Sequence, residues 1–229
     1  MKASWKSDGL AIGVIVLSFV AGLIAYPRLP NPVPTHWNAA GQPNGYSSPL
    51  VGAFLFPLIM LGIYMMFIVL PKIDPRGRNY ERFGETYVFL RNLIVLYLAF
   101  VDGMSLFAIF QPGHTLNSAW MMVGIGFLFA AMGNYMPRVR PNWFVGIRTP
   151  WTLSSDEVWR ATHRLGGQVM FVGGIAIVVV GILLPSLGLA TVMAAAAALA
   201  LIPTVYSYLL YRRLPHGGSG PRAGSAPDR

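Results

Sequence analysis

Residues 137–167 read PRVRPNWFVGIRTPWTLSSDEVWRATHRLGG, and how this stretch is read decides the fold. It holds three tryptophans, five arginines and a histidine, between two long apolar runs. If those runs cross a membrane, the stretch is a loop between spans. It is then either a solvated linker or the working part of the protein. The composition decides for the membrane: 55% of the 229 residues are apolar and only 11% are charged. The charged residues also gather between the apolar runs. A membrane-spanning helix needs about 20 mostly apolar residues. Six runs qualify, at about 10–26, 50–70, 87–110, 117–136, 168–185 and 189–211. The fold class that follows is an all-α, polytopic membrane protein with six transmembrane helices. The outer segment 27–49 falls short of the roughly 40 residues that a small fold needs without staples. The chain also has no cysteine with which to staple it.

The net charge of +9 has a topological origin. With the N-terminus inside the cell, all Lys and Arg except Arg28 and Arg91 fall on the inner side or in the segments next to it. They are Lys2 and Lys6, then Lys72, Arg76, Arg78 and Arg82, then the five arginines of 137–167, and finally Arg212, Arg213, Arg222 and Arg229. This is the positive-inside bias that sets orientation, and it predicts that both termini are cytoplasmic. Membrane lipid is therefore an expected partner and nucleic acid is not. The basic start of the first run would suit a signal peptide. Its apolar length and the lack of an A-x-A site instead predict a retained helix.

The sequence divides into three parts. Residues 1–70 carry two spans and a Pro-rich outer loop, residues 71–213 form a four-helix region around the loop 134–167, and residues 214–229 read as a disordered tail. In the outer loop, Pro27, Pro30, Pro32 and Pro34 impose an extended path and Asn44-Gly45 signals a turn. Met60, Met65 and Met66 read as gap-filling side chains. Arg91 and Asp102 share a face of the third span but stand about 16 Å apart, too far to pair. Arg91 is expected to snorkel to the interface. Asp102 has two open readings, a hydrogen-bonded packing residue or a working carboxyl facing a cavity. In the fifth span Gly167, Gly174, Gly181 and Gly188 recur every seven residues, with Gly166 and Gly173 beside them. Such a stripe admits a close neighbour, and the Ala-rich run 194–200 is the expected one.

His36, His114, His163 and His216 are scattered, so no metal set is expected. There is no H-E-x-x-H, G-x-S-x-G or P-loop pattern, and neither cofactor nor enzymatic activity is expected. Within 137–167, SSDE reads as a capping box with Ser154 as cap and Glu157 reaching back. The short helix it starts should stop at Gly166. On that helix Trp159 and His163, four residues apart, share a face. An interfacial helix accounts for tryptophans at span ends. It does not account for Asn142, Gly146 and Arg148 being interleaved with them.

The stretch GNYMPRVRPNWFVGIRTPWTLSSDEVWRATHRLGG resembles the signature of the SdpI family of bacterial membrane proteins. The matching positions are Gly133, Asn134, Asn142 and Gly146, the run Ile147, Arg148, Thr149, Pro150, Trp151 and Thr152, then Trp159, Thr162, His163, Arg164 and Gly166. The outer-loop stretch PTHWNAAGQPNGY is similar to a domain of unknown function that precedes this region in relatives, through Pro34, His36, Trp37, Asn38, Gly41 and Tyr46. The resemblance implies an integral immunity protein of the bacterial cell membrane, resisting a secreted antimicrobial toxin peptide. It also implies a signalling role in which the membrane protein holds a cytoplasmic transcriptional repressor. On that reading His36, Trp37, Asn38 and Asp102 are the toxin-facing candidates. Asn134, Asn142, Gly146, Arg148, Thr149, Trp151, Trp159 and His163 form the cytoplasmic signature, with Arg148, Trp159 and His163 meeting the partner. Two other readings stay open: a small-solute or ion transporter working through Asp102, and a membrane scaffold that docks a soluble regulator on 134–167.

Overall fold

The computed structural model describes residues 5–214. The tail expected beyond them lies outside the described residues. Six helices are long and apolar enough to cross a membrane. They are α1 (Trp5–Ala25), α2 (Pro49–Ile73), α3 (Gly84–Ile109), α4 (Ser118–Tyr135), α6 (Asp156–Leu183) and α7 (Gly188–Arg213). A short helix, α5 (Pro150–Ser154), lies between α4 and α6. Caps fix several starts. Ser48 accepts from Val51 N–H ahead of Pro49, and Asn117 accepts from Ala119 N–H ahead of α4.

Two local expectations are corrected. The cap of the loop helix is Ser155, which accepts from Val158 N–H, while Ser154 donates its hydroxyl to Pro150 O. Nor does the helix stop at Gly166. It runs on as α6 to Leu183, so the loop helix and the fifth span are one element. The two glycines serve close packing instead. The outer loop is a β-hairpin, β1 (Val33–Trp37) antiparallel to β2 (Pro43–Ser47), which adds a small sheet to the all-α bundle. Its turn is at 38–42 rather than at Asn44-Gly45. Asn38 Oδ1 accepts from the N–H groups of Ala40 and Gln42, and Gly41 takes φ +76°. Gly45 lies opposite His36, where a Cβ would come within 2.9 Å of the His36 Cβ.

The bundle packs as two three-helix groups. In the first, α1, α2 and α3 contact one another; in the second, α6 packs against both α4 and α7. The α3 span thus sits with α1 and α2, whereas the sequence division fell before it. The first group surrounds a core of Ala11, Ile15, Met60, Tyr64 and Val95. In the second, a Cβ on Gly126 would come within 2.7 Å of Gly174 O, and one on Gly167 within 2.7 Å of Gly133 O. Residues 126 and 133 thus face 174 and 167, so α4 and α6 run antiparallel with backbones nearly touching. The stripe therefore faces α4, although only Gly167, Gly174 and Gly181 lie on α6; Gly188, expected in the same span, is the first residue of α7. Of the stripe's companions, Gly173 faces Ala195 of α7, whereas Gly166 meets the Ile147 side chain of the loop first and Pro203 of α7 at 3.4 Å, so the Ala-rich run takes only Gly173.

Candidate functional site

Two loops meet at the end of the bundle that carries the start of α1: 74–83 between α2 and α3, and 136–155 between α4 and α6. They share a buried core of Phe67, Tyr80, Phe83, Tyr87, Leu90, Val139 and Trp159. Here Tyr80 meets Tyr87 edge-on, with ring centroids 4.9 Å apart. Trp159 is fully buried and donates its indole N–H to Val139 O at 2.9 Å. A buried indole needs such a partner, and the bond fixes the chain just after α4.

Polar groups lock the two loops together. Asp74 Oδ2 accepts from the Tyr80 hydroxyl at 2.8 Å and from Trp143 N–H at 2.9 Å, while Oδ1 accepts from Arg76 N–H at 2.7 Å. Asn142 is fully buried. Its Oδ1 accepts from Phe144 and Val145 N–H, and its amide donates to the carbonyls of Arg140 and Val145. It therefore acts as the template of the turn, satisfying backbone groups that would otherwise be buried without partners. Asn79 adds a bond from its amide to Pro141 O at 2.7 Å.

Gly146 comes next, at φ +116° and against the His163 ring. A side chain is excluded there twice, by the backbone conformation and by the ring. The following N–H, of Ile147, donates to His163 Nε2 at 3.0 Å. A nitrogen that accepts carries no proton, so the ring is neutral with its proton on Nδ1, which donates to Trp159 O at 2.8 Å. The His163 ring stacks on Trp159 at 4.0 Å. Thr149 and Thr152 cap α5 reciprocally, and Thr149 Oγ1 lies 3.0 Å from Ser207 Oγ on α7. Trp151 packs on Tyr208 of α7 at 5.0 Å.

The opposite end of the bundle is assembled differently. His36 is exposed, its Nδ1 2.6 Å from Asn44 Oδ1. The Trp37 indole donates to His114 O at 2.7 Å and Leu116 N–H to Gly41 O at 2.9 Å. The hairpin is thereby tied to the connection between α3 and α4. Beside it a cavity of about 710 Å³ is lined by Gln42, Phe100, Met104, Phe107, Gln111 and Trp120, among others. Its lining is uncharged.

These features define a multi-pass membrane protein whose longest connection on the basic side is a folded, hydrogen-bonded unit. Comparison with known proteins gives the particular kind. Residues 138–207 match the SdpI/YfhL protein family, and residues 13–61 match a domain of unknown function, DUF1648. The chain is 28% identical over 210 residues to "Immunity protein SdpI" of Bacillus subtilis (strain 168), covering 91% of this chain and 98% of that protein. No solved structure matches it. The chain therefore carries a region that matches the SdpI/YfhL family behind one that matches DUF1648. It is a multi-pass bacterial membrane protein in contact with lipid.

The structure gathers most of the signature residues and separates the outer ones. Asn142, Gly146, Thr149, Trp151, Trp159 and His163 form one network. Asn134 stays exposed on α4, outside it. Arg148 is exposed and donates to Trp143 O at 2.9 Å. The expectation that Trp159 and His163 meet a partner is corrected, because both are fully buried. His36, Trp37 and Asn38 share the hairpin. Asp102, 3% exposed, instead hydrogen-bonds Ser18 of α1. Arg91 does not snorkel; it is 4% exposed and pairs with Asp8 at 2.7 Å. Sequence reading missed Asp8, Asp74 and Tyr80. Asp74 left the one usable signal, an Asp-Pro pair that starts a turn.

Proposed function

We propose that this chain is a non-enzymatic immunity protein that protects the cell making it from a secreted antimicrobial peptide at the membrane. The likeness to the B. subtilis immunity protein over nearly the whole of both chains carries this reading. The positive-inside bias supports an orientation with the hairpin outside and the folded loop in the cytoplasm. Peptide contact then falls to the hairpin, through exposed His36 and Asn38, and to the uncharged cavity beside it. Asp102 is held by Ser18 and serves as an interhelical bond.

In the same reading, a cytoplasmic repressor contacts the exposed parts of the loop, Trp143 and Arg148, while Trp159 and His163 hold their shape. Transport through Asp102 has less support. The core between α1, α2 and α3 is built mainly of Ala11, Ile15, Met60 and Val95, with Tyr64 beside Arg91, and this mostly apolar packing does not favour an ion path.

The test is survival of a peptide-sensitive bacterium expressing the chain under peptide challenge. Wild type should raise survival, and so should Asp102→Asn. The double variant His36→Ala with Asn38→Ala should lower survival at equal membrane abundance. Killing that continues unchanged despite well-expressed wild type would sink the immunity reading for that peptide.

A further inference from the structure

A cavity of about 800 Å³ opens at the basic end, between the start of α1, the end of α2, the 74–83 loop and the start of α6. The immunity reading gives it no task. Its floor is apolar, made by Phe67, Ile68 and Pro71 from the last turns of α2. Its wall carries four basic and four acidic side chains, so the lining is electrically balanced.

Most of that charge is already engaged. Asp8 pairs with Arg91, Arg76 pairs with Asp156 at 3.4 Å, and Asp74 is occupied by Tyr80 and Trp143. Lys72, Arg78 and Glu81 remain. All three are exposed, and none makes a hydrogen bond or ion pair among the described residues. Two unengaged cations and one unengaged carboxylate, above an apolar floor, match a particular ligand chemistry. That chemistry is a phosphate ester carrying a primary ammonium. The cations suit the phosphate, and the carboxylate suits the ammonium. Val69 and Ile73 of the same helix end point outward, 42% and 58% exposed, and offer an acyl chain a surface along α2.

We propose that this cavity binds a phosphoethanolamine group, with Lys72 and Arg78 on the phosphate and Glu81 on the ammonium. The group has two sources, the headgroup of phosphatidylethanolamine in the surrounding bilayer and free phosphoethanolamine. The site is independent of immunity and stands or falls separately.

The test uses the purified full chain in detergent, with bound ligand read by native mass spectrometry. The probes are short-chain phosphatidylethanolamine, phosphatidylglycerol and phosphatidylcholine, and soluble phosphoethanolamine. Wild type should prefer phosphatidylethanolamine over the other two lipids. Lys72→Gln with Arg78→Gln should weaken that binding about tenfold or more. Glu81→Gln should retain phosphate-bearing lipid but lose the preference for the primary ammonium. All three positions are exposed, and an unchanged thermal transition in the variants confirms that they fold. Comparable binding of soluble phosphoethanolamine supports a site for the free compound; binding of the lipid alone supports the bilayer source. Equal phosphatidylethanolamine binding by wild type and the double variant overturns the proposal. So does a wild-type preference for phosphatidylglycerol, or no binding of any probe.

Discussion

The two three-helix groups meet the same physical problem with different chemistry. In lipid, helices gain nothing from hiding apolar surface, because the solvent is equally apolar. Association has to come from polar bonds or from very close packing. The α1–α3 group uses polar bonds. Asp8 meets Arg91 and Ser18 meets Asp102, ten and eleven residues further along the respective helices. The nearly equal spacing shows that α1 and α3 run parallel, with two polar rungs about 15 Å apart. Among the described residues the α4–α6–α7 group has no ion pair in its seam and uses glycine, so that backbone lies on backbone. Gly22 against Ala53 is a close approach of the same type within the first group. The difference implies opposite sensitivities. One group should fail when a charge is removed, the other when a side chain is added.

The largest effect is expected at the glycine seam. Gly174 faces Gly126 and Ala130 backbone, which cannot swing aside as a side chain can. Gly174→Leu must separate α4 from α6, and such overpacking against backbone belongs among changes costing more than about 4 kcal/mol. The variant should yield little monodisperse protein in detergent by fluorescence-detected size exclusion. A wild-type elution profile and thermal transition would show that the seam is not what holds these helices.

Next in size is the polar group. Asp8→Ala leaves Arg91 buried without its carboxylate, at a cost of about 3–5 kcal/mol. Removing both charges, in Asp8→Ala with Arg91→Leu, should restore most of the loss, because the buried guanidinium goes together with the carboxylate it faces. Thermal unfolding followed by tryptophan fluorescence would order the three proteins. A double variant as unstable as Asp8→Ala alone would mean that Arg91 matters for its packing on Tyr64, 5.0 Å away, and not for the pair.

The same contrast explains what could be read from sequence. Six spans were legible because hydropathy and length are local properties. The glycine row was legible because seven-residue spacing keeps one helix face, but which neighbour it meets is decided in three dimensions. Asp8–Arg91 was not legible, since 83 residues separate the partners and neither carries a motif. The loop signature was visible as residues and opaque as roles. Asn142 and Gly146 make sense only once the turn closes on Tyr80 and on the ring of His163. The interleaving that an interfacial helix left unexplained is the wiring of that turn. Its buried members, chosen from sequence as partner contacts, are therefore its supports.

The smallest effect, and of opposite sign, is expected where a glycine lies in the first group but outside any seam. Gly62 is in the middle of α2, and a Cβ there would meet nothing within 4 Å. Gly62→Ala therefore adds no clash, and it removes a residue that weakens helices by about 0.5–1 kcal/mol relative to alanine. The variant should unfold at a slightly higher temperature than wild type, with unchanged elution. Glycine would then be costly in one helix and indispensable in another, with the neighbouring backbone rather than the helix type deciding between them. A fall in stability at Gly62 as large as that at Gly174 would dissolve the distinction, because it would make every glycine in the bundle a packing residue.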